Sequence, residues 1–322
     1  MKLSIVSTLY KSESYIKQFY ERISSAAEKV TPDFELIFVN DGSPDASLDL
    51  VIQIQRRDSR VIVIDLSRNF GHHRAIMTGL SYARGQFVFL IDCDLEEDPE
   101  LLLTFWEELR ATSNLDVVYG YQRARKGGLF EKFAGAMFIR ILNWLSDVEM
   151  TENEIVVRLM SRQFVQNLIR HQERELVFVG VAQLTGFMQK ALPVSKKHRG
   201  GSTYTLRKKL ALTVNTITSL SSKPLEAIFY FGLLVTLISS GCFLYIFSRK
   251  LLFGVGEVGW SSLIVSIWFF GGLLVFCVGI VGMYLSKIFL EVKQRPYSIV
   301  KHVYGHGLDK SAEATLGEEA VN

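Results

Sequence analysis

Cysteine is scarce in this chain, with three among 322 residues, which excludes the disulfide framework of a small secreted domain. Two of the three, Cys242 and Cys277, lie in long apolar stretches, where a thiol behaves as a small hydrophobe. An excess of positive charge is also missing, since 36 Lys and Arg stand against 33 Asp and Glu. The net charge of +3 argues against nucleic acid as a partner. The first residues lack the apolar core and cleavage site of a signal peptide, so none is expected.

Charged residues are absent from two long apolar stretches near the C-terminus, apart from Glu226 in the first. The stretches cover residues 225–247 and 260–286, and each exceeds the roughly 20 residues that cross a bilayer as a helix. The linker at 248–259 is too short to fold alone. The sequence therefore predicts a transmembrane hairpin over 224–287, with the rest of the chain on one side of a membrane. The alternative is two buried core helices of a large soluble domain.

Basic residues flank this hairpin unequally. Only Arg249 and Lys250 lie in the connecting linker, whereas the outer ends of the hairpin carry Arg207, Lys208, Lys209, Lys223, Lys287, Lys293, Arg295 and Lys301. Because Lys and Arg concentrate on the cytoplasmic side, we expect a multi-pass protein of the cytoplasmic (inner) membrane with both termini in the cytoplasm.

The other segments follow from this hairpin. A cytoplasmic domain is predicted over residues 1–200, followed by an amphipathic juxtamembrane segment at 201–223 that can lie in the membrane interface. A cytoplasmic tail covers 288–322. From about residue 306 it is rich in Gly, Ala and Glu and lacks Phe, Tyr and Trp, so disorder is predicted there.

Short apolar runs alternate with helical patterns in the first half of the chain. The predicted strands are 3–7, 35–39, 61–66 and 87–91, and the predicted helices are 13–30, 45–58 and 73–83. Successive strands joined by helices need crossover connections, so the fold class is α/β with a parallel sheet. Ligands of such sheets bind beyond the carboxyl ends of the strands, and the polar clusters of this chain lie there.

Five of the seven residues from Asp92 to Asp98 are acidic. Such crowding of carboxylates costs free energy unless a cation offsets it. Asp92 and Asp94 flank one residue at a strand end, so both side chains point the same way and suit Mg²⁺ or Mn²⁺. We predict Asp94 as the main metal ligand, with Asp92 and Glu96 assisting. The acidic residues around Pro99 also fit a simpler role, the negatively charged first turn of a helix.

Several motifs recur in a specific order along the chain. They are Tyr10 with Glu13, Asn40-Asp41-Gly42-Ser43, Ser67-Arg68-Asn69-Phe70-Gly71-His72, Asp92-Cys93-Asp94-Leu95, Val118-Tyr119-Gly120, Arg158-Leu159-Met160-Ser161-Arg162, Gly200-Gly201-Ser202 and Lys223-Pro224-Leu225. Taken alone, each has a local explanation, such as a turn at Gly42. Together, over about residues 3–304, they resemble the family-two glycosyltransferases with the A-type nucleotide-sugar (Rossmann-like) fold. Within that family the resemblance is to the membrane-bound polyprenyl-phosphate group, which includes dolichol-phosphate-mannose synthase and GtrB-like proteins.

The resemblance implies an inverting, metal-dependent transferase that takes a sugar from a nucleotide-sugar donor. The residues that it assigns to the donor are Thr8, Tyr10, Glu13, Asp41, Arg68 and Asp92. Thr8 and Tyr10 would hold the nucleobase, and a carboxylate at Asp41 suits a base with an N–H, such as uracil. Asp92 and Asp94 would face the ribose and the metal that bridges the diphosphate.

The acceptor implied by the resemblance is undecaprenyl phosphate or another polyprenyl phosphate. Its phosphate is already an anion, so catalysis reduces to positioning and to stabilising the leaving diphosphate. The acceptor-phosphate candidates are Arg123, Arg125, Lys126, Arg158 and Ser202. Arg125 and Arg199 join Asp92 and Asp94 as catalytic candidates. Lys196 and Lys197 suit phosphate or, equally, the membrane surface.

Departures from the family pattern leave alternatives open. Asn40 and Glu96 stand where Asp and Gln are frequent, and no Asp lies between Met150 and Val157, where related synthases often carry one. A saccharide or lipid-linked oligosaccharide acceptor would need a general base, and a flippase or transporter would need charges in the hairpin. A non-catalytic scaffold would not need Asp92 and Asp94. The expected partners are a nucleotide-sugar, a polyprenyl phosphate lipid and the membrane, and a homo-oligomer is compatible with the sequence.

Overall fold

A computed structural model describes residues 1–122, 154–173, 178–196, 223–253 and 259–305. Contacts divide the chain into two compact units. The first holds the described residues up to 196 together with 296–305. The second holds the described residues from 223 to 295.

The first unit is built around one sheet. Its strands are β1 (Leu3–Leu9), β2 (Phe34–Asn40), β3 (Val61–Leu66), β4 (Phe87–Leu90), β5 (Val117–Gln122), β6 (Glu154–Ser161), β7 (Gln189–Val194) and β8 (Val300–Tyr304). Its helices are α1 (Glu13–Val30), α2 (Ser47–Gln55), α3 (His72–Tyr82), α4 (Leu101–Ala111), α5 (Arg162–Leu168) and α6 (Phe178–Leu184). In the described residues the strand order is β7-β5-β6-β4-β1-β2-β3-β8.

Burial on both faces explains the apolar strands. Every residue of β1, β2 and β3 is buried, as expected for parallel strands covered by helices on each side. β1 pairs in parallel with β2 and β4, and β2 pairs in parallel with β3. These pairings confirm the predicted α/β class and bring the carboxyl ends of the four strands to one edge of the sheet.

The sheet and the second helix differ from the sequence-based prediction. The sheet is mixed, because β6 runs antiparallel between β4 and β5. The second helix begins at Ser47, two residues later than expected. The reason is that Asp45 lies in the preceding turn, where its Oδ1 accepts hydrogen bonds from Ser43 Oγ and from the Ser47 N–H.

The strand β8 was not predicted. It pairs antiparallel with β3 and covers the edge of the sheet, although its residues fell in the predicted tail. The segment before it also joins the first unit: the Ser67 N–H donates to the Ile299 carbonyl at 2.9 Å, and the hydroxyls of Thr78 and Ser298 lie 2.7 Å apart. The sheet of the first unit thus includes residues that follow both long apolar helices in the chain.

The second unit contains two long helices, α7 (Lys223–Phe253) and α8 (Trp260–Val292). Among the described residues, one helical segment is long and apolar enough to cross a membrane: Ser266–Val292, with a mean hydropathy of 2.2. Large apolar side chains on it are exposed, including Trp268 at 79% and Val275 at 70%. The linker at 254–258, the amphipathic segment at 201–222 and the tail from 306 lie outside the described residues.

Candidate active site

Polar side chains gather where β1, β2 and β4 end. The register places Leu9 beside Asn40 at the ends of β1 and β2, and Val6 beside Leu90 at the end of β4. The residues after these ends, including Tyr10, Asp41 and Asp92, therefore lie at one edge of the sheet. This is the edge at which parallel α/β sheets bind their ligands.

Tyr10 is 48% exposed at this edge, next to β1, and Lys11 Nζ lies 5.7 Å from the centre of its ring. Thr8 is almost buried, and its Oγ1 shares a hydrogen bond of 3.1 Å with His72 Nδ1. Glu13 is exposed, and its Oε2 accepts a hydrogen bond of 3.0 Å from the Ala46 N–H. In the structure Glu13 thus helps to fix the turn before α2.

Asp41 holds the loop before α3. It is 3% exposed, and its two carboxylate oxygens accept hydrogen bonds from the N–H groups of Phe70, at 2.7 Å, and Gly71, at 3.0 Å. The loop lies so close to Gly42 that a Cβ there would stand 2.5 Å from the backbone of Arg68 and Asn69. Contact with a nucleobase stays a prediction for Asp41, whose described partners are backbone groups.

The acidic turn after β4, which contains Asp92, Asp94, Glu96 and Glu97, brings several negative charges close together. Burial raises the pKa of Asp94, and the charges of Asp92 and Glu96 raise it further, although the Glu96 N–H donates to Asp94 Oδ1 at 2.9 Å. Burial, with the Asp92 charge, raises the pKa of Glu97 to about 7. Asp92 Oδ1 is buried without a hydrogen-bond partner in the described structure, and it lies 3.5 Å from His72 Nε2. This turn would be stabilised by a cation.

The residues fit a divalent cation that is shared with a substrate. The described residues contain no group of three or more His, Cys, Asp or Glu side chains placed to hold a metal. Mg²⁺ is usually held by one or two carboxylates together with substrate phosphates, and the partnerless oxygen of Asp92 and the half-buried carboxylate of Asp94 offer two. Glu96, predicted to assist them, is paired with Lys196 at 2.8 Å.

The predicted cationic residues have different surroundings. Arg68 is exposed, its guanidinium lies 4.1 Å from the centre of the Phe70 ring, and its Nη1 donates to the Asn69 carbonyl. Arg158 is fully buried: it forms an ion pair of 3.1 Å with buried Glu154 and lies 4.7 Å from the Phe178 ring. This guanidinium was predicted to bind the acceptor phosphate, but it is buried and already paired with a carboxylate, so it is not exposed to such a ligand. The other cationic and acceptor candidates, Arg123, Arg125, Lys126, Lys197, Arg199 and Ser202, lie outside the described residues.

Sequence reasoning gave no individual role to His72, and it did not predict that Lys196 pairs with the acidic turn. His72 lies between Thr8 and Asp92, and the signal for it was its place in the motif that ends the loop before α3. Lys196 was considered only for phosphate or the membrane surface, yet it contacts the acidic turn 100 residues earlier in the chain. No local pattern predicts a pairing over that separation.

Comparison with known proteins assigns the family. The model of Glycosyl transferase family 2 matches residues 4–183, more than half of the chain. The chain belongs to this family. The prediction that it is a glycosyltransferase is therefore confirmed, and the acidic turn of this glycosyltransferase lies inside the matched region.

Relatives of this glycosyltransferase extend over almost its whole length. A protein described as a putative glycosyltransferase of Mycobacterium tuberculosis is 48% identical over 98% of this chain and 92% of its own. The bactoprenol glucosyl transferase of Shigella phage SfV is 32% identical over 94% of this chain and 99% of its own. These similarities confirm the resemblance to the polyprenyl-phosphate group.

The solved structures that resemble this chain share less sequence identity with it than these relatives do. The mannosyl-3-phosphoglycerate synthase of Rubrobacter xylanophilus has a TM-score of 0.47 and 14% identity, over 67% of this chain and 72% of its own. TarS of S. aureus in complex with UDP-GlcNAc has a TM-score of 0.44 and 20% identity, over 68% of this chain and 66% of its own. Both are too distant to inform individual residues of the site.

Proposed function

We propose that this glycosyltransferase transfers one sugar from a UDP-sugar to undecaprenyl phosphate or a related polyprenyl phosphate, with inversion at the anomeric carbon. The observation that carries the proposal is the pair Asp92 and Asp94, held at the ligand-binding edge of the sheet with a buried oxygen that lacks a partner. The full-length similarity to bactoprenol glucosyl transferases favours the lipid acceptor.

The donor is proposed to lie across the carboxyl ends of β1, β2 and β4. Tyr10 offers its exposed ring for stacking on the base, and Thr8 and Asp41 support the surrounding turns. Asp92 and Asp94 would hold Mg²⁺ or Mn²⁺, which supplies positive charge where the diphosphate departs. Within the chain, the task of these carboxylates is to fix the donor so that its anomeric carbon faces the acceptor.

The acceptor phosphate needs no general base. A phosphate oxygen is already negatively charged at neutral pH, so it forms a bond to the anomeric carbon as the bond to the nucleotide diphosphate breaks. Arg125 and Arg199 are the proposed cations for the acceptor phosphate and the leaving diphosphate, since a guanidinium pairs with phosphate through two hydrogen bonds. Arg123, Lys126 and Ser202 are proposed to line the same acceptor region.

The membrane arrangement is part of the proposal. We propose that α7 and α8 form a transmembrane hairpin and that the sheet lies on the cytoplasmic side. The basic residues at the outer ends of the hairpin outnumber those in the linker, and Lys and Arg concentrate on the cytoplasmic side of membrane proteins. The apolar segment Ser266–Val292 supports membrane association. A soluble donor and a membrane-embedded acceptor could then meet at the bilayer surface.

The decisive experiment incubates the purified full-length protein with a panel of nucleotide-sugars and undecaprenyl phosphate, followed by mass spectrometry of the lipid. We expect one sugar added to the lipid phosphate from a UDP-sugar. Polyprenol without its phosphate should remain unmodified, because its hydroxyl, unlike a phosphate oxygen, must lose a proton before it attacks and the proposed mechanism assigns no residue to accept that proton. Glycosylation of polyprenol or of a sugar hydroxyl, with undecaprenyl phosphate inert, would contradict the proposal and favour a hydroxyl acceptor.

A further inference from the structure

Lys196 contacts the acidic turn directly. It follows β7, and its Nζ lies 2.8 Å from Glu96 Oε2 and 3.1 Å from Glu97 Oε1. The Lys196 side chain is 24% exposed and that of Glu97 is 3% exposed. An ion pair sheltered to this degree is screened less by solvent and salt than a surface pair.

The charge of Lys196 acts on the proposed metal ligands as well. Four carboxylates, those of Asp92, Asp94, Glu96 and Glu97, lie within six residues of the chain. In the part of the chain that the structure describes, Lys196 is the one Lys or Arg that forms an ion pair with them. Its positive charge also reaches Asp94, since it opposes the rise in the pKa of that carboxyl.

Glu96 cannot use both carboxylate oxygens to coordinate a divalent cation while one of them is paired with Lys196. One of its oxygens is already engaged by the ammonium, and a divalent ion near Asp94 would be repelled by the same ammonium. A neutral side chain at position 96 would not hold Lys196 in this way. The pairing therefore involves a residue at which this chain departs from the pattern of its family.

We propose that Lys196 is an internal counter-cation: it occupies Glu96 and keeps the affinity of the free enzyme for divalent cations low. This inference rests on the proposed function. Its consequence is that the cation binds tightly only together with the donor diphosphate, whose negative charges outweigh the ammonium. Lys196 is thus a positioning residue of the metal and donor site, separate from any contact with the lipid.

The test is titration of Mn²⁺ into the purified full-length protein without nucleotide, followed by calorimetry or by paramagnetic resonance of the free ion. Removing the ammonium in Lys196→Met should tighten Mn²⁺ binding by about tenfold, because one repulsive charge is lost and Glu96 is released. Lys190→Met is the matched control: Lys190 lies on β7 and pairs with Glu108 at 2.6 Å, so its loss should leave the Kd unchanged.

A double variant separates competition for Glu96 from general repulsion. In a Glu96→Gln background, Lys196→Met should change the Kd by less than about threefold, since the Glu96 carboxylate is no longer there to be released and only the pairing with Glu97 and the repulsion by the ammonium are lost. Lys196→Gln provides the same loss of charge if the Met variant does not fold. Mn²⁺ affinity in both Lys196 variants equal to that of Lys190→Met, or weaker than wild type, would overturn the inference.

Repeating the Mn²⁺ titration with uridine diphosphate present distinguishes a failure of this inference from a failure of the proposed function. With uridine diphosphate present, the wild-type protein should bind Mn²⁺ tightly, and the advantage of Lys196→Met should shrink. If wild type and every variant fail to bind Mn²⁺ even with the nucleotide, the metal-dependent function falls and the inference falls with it. If wild type binds Mn²⁺ with the nucleotide but Lys196→Met shows no gain without it, the inference alone is wrong.

Discussion

His72 Nε2 lies 3.5 Å from Asp92 Oδ1, while Nδ1 of the same ring shares a hydrogen bond with Thr8 Oγ1. One imidazole therefore connects the end of β1, where the nucleobase is proposed to bind, with the acidic turn after β4. Its position at the start of α3 depends on the loop that Asp41 holds. The two halves of the proposed donor site are linked through this side chain.

His72→Ala should weaken donor binding. The variant removes the group between Thr8 and Asp92, so we expect the Kd for uridine diphosphate with Mn²⁺ to rise about fivefold, the net value of about 1 kcal/mol for one hydrogen bond such as that with Thr8 Oγ1. Calorimetry measures this, and the melting temperature should change little. His171→Ala, after α5, is the control for the loss of an imidazole. Unchanged nucleotide affinity in His72→Ala would remove the ring from the donor site.

Asp94→Asn should abolish most of the transferase activity. It removes the charge of the main proposed metal ligand, and we expect turnover to fall on the order of a hundredfold or more with the fold intact. Asp33→Asn, an exposed site at the amino end of β2, makes the same change far from the acidic turn. Full activity in Asp94→Asn, or in wild type after treatment with EDTA, would contradict the metal assignment.

Asp41→Asn separates two roles for this carboxylate. An amide keeps one acceptor oxygen and turns an NH₂ toward the second backbone N–H, so we expect a loss of about 1–3 kcal/mol in the free energy of unfolding. Thermal unfolding in detergent should show a melting temperature lower by several degrees. A variant with wild-type melting but weakened uridine binding would mean that Asp41 acts mainly on the base.

Much of the fold could be predicted because the strands concerned are mostly apolar. β3 has the predicted bounds, and β1 and β2 differ from prediction by one or two residues at an end. β8 was missed because a five-residue strand after a long apolar helix has no pattern of its own, and its partner lies more than 230 residues earlier.

The site could be predicted less completely, since a motif shows residue types and not their surroundings. Arg158 was predicted as a phosphate ligand because it lies in a motif that resembles the family, whereas its position on β6 buries it against Glu154. The ion pair of Glu96 with Lys196 depends on β7 ending beside the acidic turn. Such long-range contacts decide which charges face a ligand.

The stability of this protein should depend on pH through His73. Its Nδ1 accepts a hydrogen bond of 2.8 Å from the Phe178 N–H, and burial, with the charges of His72 and Arg158, lowers its pKa to about 4. The folded state thus disfavours the charged ring. Its stabilising effect is complete above the unfolded pKa near 6.5 and is lost as the pH falls toward 4.

The matched variant is His73→Gln, whose amide oxygen can accept the same N–H but does not titrate. Between pH 7.5 and 5.5 the wild type should lose about 1 kcal/mol more in the free energy of unfolding than the variant. Melting temperatures at the two pH values measure this difference. Equal losses in both proteins would show that His73 is not the titrating group.

The strand β8 should be required for a stable first unit. A chain that ends after Gln294 lacks β8, so it exposes the N–H and carbonyl groups of β3 and loses the contact of Ser298 with Thr78 on α3. We expect this truncation to melt several degrees lower and to aggregate. A chain that ends after Gly305 keeps β8 and is the control, with wild-type melting and transferase activity. If both truncations melt like the full-length protein, β8 does not stabilise the sheet.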